Sequence, residues 1–402
     1  MTNLESQSSV CLDKNSIPQD IQWPQMTFQP QEIAAILQTL FIEHKEEILQ
    51  IILHKWLALV ADFHTGSQDI MEAAQEWSRQ NSLNQQLFGL PPTAFALIRN
   101  TPERFAVVIR VSHAQYDALC IGKFARDLLD LYQSRPISVP AEFTTYLQNV
   151  HDQQTPSVFD FWRALLENST MTPVMASPAP SGQLASVGCS QEVPVIRPPA
   201  GITMATVIKA AWAKVQSSFF HRDDLVFGQF VSGRNTVDAE LEQVVGNCTN
   251  VIPVRVKIPC NRRIRDLLHG IQSQHGQTMA FDTTPFKEIV AKSTSWSDVL
   301  DFGSVVHHKS QELSDKMLFL GHSGVSRIDM WAPDENPPNH LFLQTTERES
   351  NLLFELVTRG DLATEAHLGM LLSETCRRVV AYIGSPDVTV DEIESKLPKK
   401  SQ

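Results

Sequence analysis

The sequence predicts an α+β protein built as two lobes, and three observations carry that expectation. The chain has 402 residues, more than the ~250–300 that one hydrophobic core organises. Short β-rich apolar runs alternate along it with stretches of helical period. A Ser-, Pro- and Ala-rich stretch near the middle, with the breakers Met171-Thr172-Pro173-Val174 and Ser177-Pro178-Ala179-Pro180-Ser181, separates one set of elements from the other.

In chain order, residues 1–36 form a divergent lead-in whose first thirty residues are polar, proline-containing and weakly patterned, and a loosely docked segment is expected there. The N-terminal lobe spans 37–167. Leu40–His44 and Glu47–Leu53 read as two strands joined by a turn at 44–46, and Ser67–Ser82 reads as a helix with Ile70, Ala73, Ala74 and Trp77 at helical spacing. After the break at Leu90-Pro91-Pro92, Thr93–Arg99 and Phe105–Val111 are strands. A helix follows with Leu119, Ile121, Phe124, Leu128, Leu129 and Tyr132, and another stretch of helical character surrounds Phe159–Leu166. Residues 168–201 are the linker. The C-terminal lobe, 202–386, opens on Thr203 as N-cap of a helix from Met204 to Phe219 with Val207, Ile208, Ala211, Trp212 and Val215 on one face. The strand Asp224–Val231, the turn Ser232–Asn235, helices near 263–279 and 365–384, and strands at 302–307 and 352–357 complete it. Residues 387–402 read as a loose charged tail.

Composition narrows the function. Hydrophobic residues make up 42% and charged residues 19%, globular values. The formal charge of −12, from 45 acidic and 33 basic residues with no basic stripe, argues against a nucleic-acid partner. Cys11, Cys120, Cys189, Cys248, Cys260 and Cys376 are scattered without zinc-ligand spacing, which fits a reduced compartment. The N-terminal residues lack a basic segment followed by an apolar core, and no apolar run approaches the ~20 residues a membrane span needs, so no membrane is expected and the cytoplasm is the expected location.

The chemistry-bearing feature is Val111-Ser112-His113-Ala114-Gln115-Tyr116-Asp117, at the junction of the strand ending at Val111 with the following helix. A histidine on a stiff strand end can serve as a base near neutral pH, and a carboxylate four residues on can hold the local backbone or meet a cation. The same spacing also suits a satisfied core histidine and a helix cap; the short motif alone leaves both readings open. His307-His308 has no third ligand at useful spacing, so no metal is expected. Cys120, beside Leu119 and Ile121, reads as a buried, inert thiol.

Several separated segments together carry a family resemblance. Ser112-His113-x-x-Tyr116-Asp117 matches the SHxxYDxxS variant of the condensation domains of nonribosomal peptide synthetases, in which ordinary members read HHxxxDG, with Cys120 in place of the final Ser. Phe227–Asn235 resembles the FGxxVSGRN segment. Val245–Arg255 resembles VGPxxNxxPxR with Asn247 in place of Pro, and Phe302–His308 resembles FxSVVxHQ. The chain thus resembles the fungal terminal, condensation-like type from about Leu37 to Pro386, with Gln38 in place of the Arg of the RHExLRTxF motif. The piece that precedes that motif in the family is missing, as though the N-terminus were truncated.

The resemblance implies a chloramphenicol-acetyltransferase-like fold, a V-shaped pseudo-dimer of two αβ sandwiches with His113 in the channel between them. It implies acyl transfer from a thioester on the phosphopantetheine of a partner peptidyl carrier protein to an amine, with His113 accepting the amine proton or hydrogen-bonding the tetrahedral intermediate. It further implies that Asp117 and Arg234 pair structurally, and that Ser112, Tyr116, Gly246 and Asn250 shape or line the channel. No covalently bound cofactor is implied, and the chain is expected to be a monomer. The terminal variant implies release of a peptide by an intramolecular nitrogen, giving a cyclic product. Two alternatives remain: a CoA-dependent HxxxD acyltransferase, whose DFGWG motif Asp301-Phe302-Gly303 faintly resembles, and an inactive truncated remnant or docking partner of a synthetase.

Overall fold

The computed structural model describes residues 7–15, 39–44, 47–52, 61–65, 69–83, 93–101, 104–133, 135–137, 140–177, 184–296, 301–310, 317–319, 325–331 and 337–397. The expected turn residues 45–46, the break at 90–92, part of the linker and the last five residues lie outside them. The chain divides into two compact units. Unit 1 holds Met1–Asn149, Val237–Cys248 and Leu313–Pro333; unit 2 holds Val150–Thr236, Thr249–Glu312 and Asp334–Gln402. The units therefore differ from the lobe spans read from sequence: 150–167 group with unit 2, and two segments of the second half return to unit 1. Strand pairing explains the second return, because a strand belongs with the strands that satisfy its backbone.

The first strand, β1 (Gln7–Asn15), corrects the expectation of a loosely docked lead-in. It is followed by the hairpin β2 (Thr39–His44) and β3 (Glu47–Ile52), by β4 (Ala61–Thr65) and by α1 (Ile70–Leu83). Next come β5 (Ala94–Thr101), β6 (Arg104–Ser112), α2 (Ala118–Tyr132) and α3 (Phe143–Asp152), which runs across the boundary of unit 1. Ile70, Ala74 and Trp77 of α1, spaced by four and three residues, bury against Ala96 and Ile98 of β5 and Ala106 and Val108 of β6.

Unit 2 opens with α4 (Pro156–Leu166), and β7 (Ser186–Pro194) lies inside the stretch expected to be a bare linker. Nine registered pairs with a later strand hold it, so pairing overrides its Gly- and Ser-containing sequence. Then come α5 (Met204–Phe220), β8 (Asp224–Val231), β9 (Asn250–Lys257), α6 (Ile264–Thr278), α7 (Phe286–Ser293) and β10 (Ser304–Lys309). Thr203 caps α5 as expected, its Oγ1 accepting from Thr206 N at 3.3 Å. The chain next supplies β11 (Met317–Phe319) and β12 (Val325–Trp331) to unit 1, whose six-stranded sheet runs β11-β12-β1-β6-β5-β4. β1 thus sits in the interior of that sheet, antiparallel to both β6 and β12.

Back in unit 2, β13 (Leu341–Glu347), β14 (Asn351–Arg359), α8 (Glu365–Gly384) and α9 (Val390–Lys396) finish the chain, and the sheet runs β7-β14-β13-β10-β8-β9. β8 is buried on both faces: Leu225 and Phe227 join the main core with α5, α6 and α8, while Val226 packs with Val158 and Trp162 of α4 and Ile289 of α7. Its near-continuous apolar run is the sequence signature of that position. The tail, expected to be loose, is tied down to Leu397. A capping box between Thr389 and Glu392 starts α9, Val390 and Ile393 are buried, and Arg378 of α8 donates from Nε and Nη2 to the Glu394 carboxylate at 2.9 and 2.6 Å. Among the described residues no helix is long and apolar enough to cross a membrane.

Candidate functional site in unit 1

β6 ends at Ser112, and the chain turns at once into a single 3-10 turn, His113–Gln115, before α2 begins. Ser112 caps that turn, its Oγ accepting from Ala114 N at 3.3 Å, and β1 extends the ladder to this point by pairing Gln7 with Ser112. A buried bond from Thr93 Oγ1 to Gln115 Oε1, 2.9 Å, anchors the far end of the turn. His113 is half-buried, and its ring stacks on that of Tyr116 with centroids 4.8 Å apart and 15° between planes. Tyr116 itself is 4% exposed and packs with Val111, Cys120, Ile121 and Val245.

Asp117 is 1% exposed and holds the start of α2: its Oδ1 accepts from the backbone N–H groups of Leu119 and Cys120 at 3.1 and 3.2 Å. Its Oδ2 accepts from Cys248 N at 3.2 Å, a residue 131 positions away. The helix cap of the first reading is therefore real, and it doubles as the anchor of a remote segment. Cys120 closes the same seam. Its thiol lies 3.3 Å from Asp117 Oδ1, donates to Gly246 O and accepts from Gly246 N, both at 3.4 Å. Burial first, and then the Asp117 carboxyl, push this thiol up from its ordinary range, which fits an inert rather than a nucleophilic cysteine.

Gly246 is required by space. A Cβ there would enter the ring of Phe143, whose neighbour one helical turn on, Tyr146, donates from its hydroxyl to Cys248 O at 3.4 Å. Asn247 Nδ2 donates to the backbone carbonyl of His113 at 3.0 Å. Unit 1 thus brings together Ser112, His113, Tyr116, Asp117 and Gly246 of the expected residues. It adds Cys120, Phe143, Tyr146, Asn247 and Cys248, to which the motifs had assigned no part in the site.

The other expected residues lie in unit 2. Arg234, 6% exposed, sits in the loop after β8. Asn250, at the start of β9, donates from Nδ2 to the carbonyls of Asp282 and Thr284 at 2.9 and 2.8 Å, which fixes the entry of the strand. Asn235, beside Arg234, donates to Asp282 Oδ2 at 2.7 Å, and Gln153 bonds Thr236 O and Thr283 Oγ1 at 2.8 and 3.1 Å. Burial pushes the Asp282 carboxyl up to about 6, against the Asn235 and Thr236 bonds that pull it down. Neither Asp282 nor Gln153 belongs to a recognisable motif, so sequence reasoning passed over both. His308 bonds Thr345 Oγ1 at 2.8 Å, and His307 lies against Phe230 and Phe342; burial pushes both imidazoles down to about 4.

A partly exposed imidazole on a turn locked by its own cap, a stacked ring and a remote segment suits proton transfer or hydrogen bonding at a fixed point. Comparison with known proteins gives that geometry a context. The condensation-domain family model matches residues 29–400. Nonribosomal peptide synthetase 6 of Aspergillus fumigatus is 32% identical over 325 residues, covering 78% of this chain and 24% of that protein. Malformin synthetase mlfA of Aspergillus sclerotiicarbonarius is 31% identical over 398 residues, 96% of this chain and 8% of the synthetase. The chain thus spans a small part of the length of these relatives. Among solved structures, that called CT superposes with a TM-score of 0.84 at 22% identity, covering 96% of this chain and 88% of the other. The starter condensation domain of rhizomide synthetase RzmA gives 0.73 at 16% identity, covering 96% and 93%. The expected two-lobed α+β class, of the chloramphenicol-acetyltransferase-like kind, is the one these folds share.

Proposed function

This chain belongs to the condensation-domain family, and on that premise we propose that it forms an amide by acyl transfer from a phosphopantetheinyl thioester on a carrier protein to an amine. His113 is the catalytic residue of this reading. An amine must be uncharged to attack a thioester, and an imidazole is the side chain whose ordinary range lets it take the proton near neutral pH. The observation that carries the proposal is the placement of His113: a half-buried ring on a three-residue turn whose two ends, ring face and main-chain carbonyl are all held. General acid–base catalysis at such a point contributes about 10²–10⁴-fold, and approximation of thioester and amine supplies more.

The Ser112-His113-x-x-Tyr116-Asp117 pattern extends the reading to release of a carrier-bound peptide by a nitrogen of the same peptide, giving a cyclic product. Asp117, Gly246 and Asn250 act in this reading through the backbone they hold. The test loads a separate carrier with candidate peptidyl-phosphopantetheine thioesters and follows release by mass spectrometry with the parent protein and with His113→Ala. Cyclic product formed by the parent and slowed at least about 10²-fold in the variant is the expected result. Release at the uncatalysed rate by both, in folded samples, overturns the proposal. Faster turnover of free CoA thioesters than of carrier-bound ones overturns the carrier as the donor.

A further inference from the structure

We propose that Asn247 is a positioning residue for His113, and that it performs this role through a bond a proline at the same place cannot make. The proposal rests on the reading of His113 as the catalytic base. Asn247 Nδ2 donates to His113 O at 3.0 Å across 134 positions of sequence. A main-chain carbonyl only accepts, so the amide must present its nitrogen there, and the orientation of the Asn247 side chain is fixed by the partner. Proline, which stands at this position in the motif the sequence resembles, offers no side-chain donor.

The bond matters because of what it grips. His113 opens a 3-10 turn of three residues, and such turns have poor internal hydrogen-bond geometry, so their pitch is set by contacts from outside. The peptide plane carrying His113 O rotates with the Cα from which the imidazole springs. Two neighbouring links hold the same segment against the turn and α2: Cys248 N to Asp117 Oδ2 at 3.2 Å, and the thiol of Cys120 with Gly246 at 3.4 Å. Sulfur makes a weak donor and a weak acceptor, so in this chain the Cys120 link is soft, and Asn247 supplies a nitrogen-to-carbonyl bond next to it. The Asp117 link fixes the start of the helix. Of these three links, that of Asn247 is the one made to the histidine's own backbone.

The experiment uses the full chain with three variants, Asn247→Ala, Asn247→Asp and Asn247→Pro, and two independent measurements. The ¹³C′ resonance of His113 and the ¹⁵N resonance of Ala114 report the bond to the His113 carbonyl directly, and the NMR pH titration of the His113 ring reports its surroundings. Steady-state turnover on the carrier-bound substrate reports the consequence. Expected are a shift of both resonances in all three variants, a changed titration of the ring, and a kcat lower by about 3- to 10-fold at unchanged KM, the size of one hydrogen bond. Asn247→Asp, isosteric but facing one acceptor with another, should be the most affected and Asn247→Ala less so. Unshifted resonances in folded Asn247→Ala or Asn247→Asp overturn the proposal, as does a fall in melting temperature with the ring titration and the ratio of kcat to KM unchanged. If the parent turns over no substrate, the reading of His113 as base fails by itself, and the resonances and ring titration still decide whether Asn247 positions His113.

Discussion

Replacing Asp117 by alanine tests the site where its contacts are densest. The carboxyl is 1% exposed and accepts three backbone N–H bonds, from Leu119, Cys120 and Cys248, at 3.1 to 3.2 Å. Alanine takes the side-chain acceptor from the buried Cys248 N–H, whereas Cys120 N keeps its bond to the Asp117 carbonyl at 3.1 Å and Leu119, 62% exposed, can turn to water. A backbone hydrogen bond contributes about 1 kcal/mol net, more when a buried donor loses its acceptor. Loss of a helix N-cap alone costs about 0.5–2 kcal/mol. The expected destabilisation is therefore about 3 kcal/mol, read as a lower midpoint in urea unfolding followed by tryptophan fluorescence. Asp117→Asn should be milder: its oxygen can still cap Leu119 and Cys120, while its amide nitrogen turns a donor toward Cys248 N, for a loss of about 1–2 kcal/mol. Because the Cys248 bond joins segments 131 positions apart, native-state hydrogen exchange of residues 244–248 should accelerate more than that of α1 in both variants. An alanine variant within about 0.5 kcal/mol of the parent refutes the argument, since no surface-like site carries these bonds.

Three further outcomes follow from the packing and the titrating groups. Gly246→Ala drives a methyl group into the Phe143 ring and should destabilise by about 1–3 kcal/mol, with Phe143→Leu in the same chain recovering part of the loss; equal stability of the single variant in urea contradicts the contact. Asp282, pushed up to about 6 by burial, holds its proton in the folded state where the unfolded chain has lost it, so its contribution to stability falls as pH rises from about 4 to about 6. Asp282→Asn keeps an oxygen for Asn235 and removes that fall, and parallel stability–pH curves for the two proteins over this window would exclude the assignment. Lys209, bonded to Gln229 Oε1 at 2.7 Å and pushed down to about 7 by burial, binds its proton less well folded than unfolded, so stability rises with pH from about 7 toward 10. Lys209→Met should be more stable than the parent at pH 6 and lack the rise, as calorimetry at several pH values can show.

The elements written plainly in the sequence are those whose own side chains make them. α1 follows from Ile70, Ala74 and Trp77 at helical spacing, α5 from its Thr203 cap and apolar face, and β8 from an apolar run buried on both sides. The elements that escaped are those made by partners. β1 is Gln7-Ser8-Ser9-Val10-Cys11-Leu12-Asp13-Lys14-Asn15, hardly a strand by composition, yet it has β6 on one side and β12 on the other to satisfy its N–H and C=O groups. β7 is an edge strand held by β14, and α9 is a short helix whose stability comes from a capping box and from Arg378 of α8. The pairing strands and Arg378 lie beyond a window of a dozen residues, which contains no trace of them. The capping box of α9, Thr389 with Glu392, is local and is the part of that helix the sequence does display.

The candidate site divides along the same line. His113 and Asp117 were legible because strand end, base and cap fall within six consecutive positions, Ser112 to Asp117. What makes the histidine a fixed point comes from elsewhere: Cys248 bonds Asp117 across 131 positions, Asn247 reaches the His113 carbonyl across 134, and Gly246 bonds Cys120 across 126. Three consecutive residues therefore all grip the same strand-to-helix turn and the start of α2. Gly246 can do so because it lacks a side chain where Phe143 stands, and Cys248 because its amide, rather than its thiol, makes the bond. A motif search finds the reactive residue because chemistry restricts its type. It marks the segment Val245–Arg255 but not the bonds that make it a clamp, because main-chain atoms supply half of them and any residue can supply a main-chain atom. In a site of this kind the departures from a family's pattern are where to look for residues acting through others: Cys120 and Asn247 are two such departures with bonds in the clamp, and Asn247, an amide set against the His113 carbonyl, is the one that holds the histidine's own backbone.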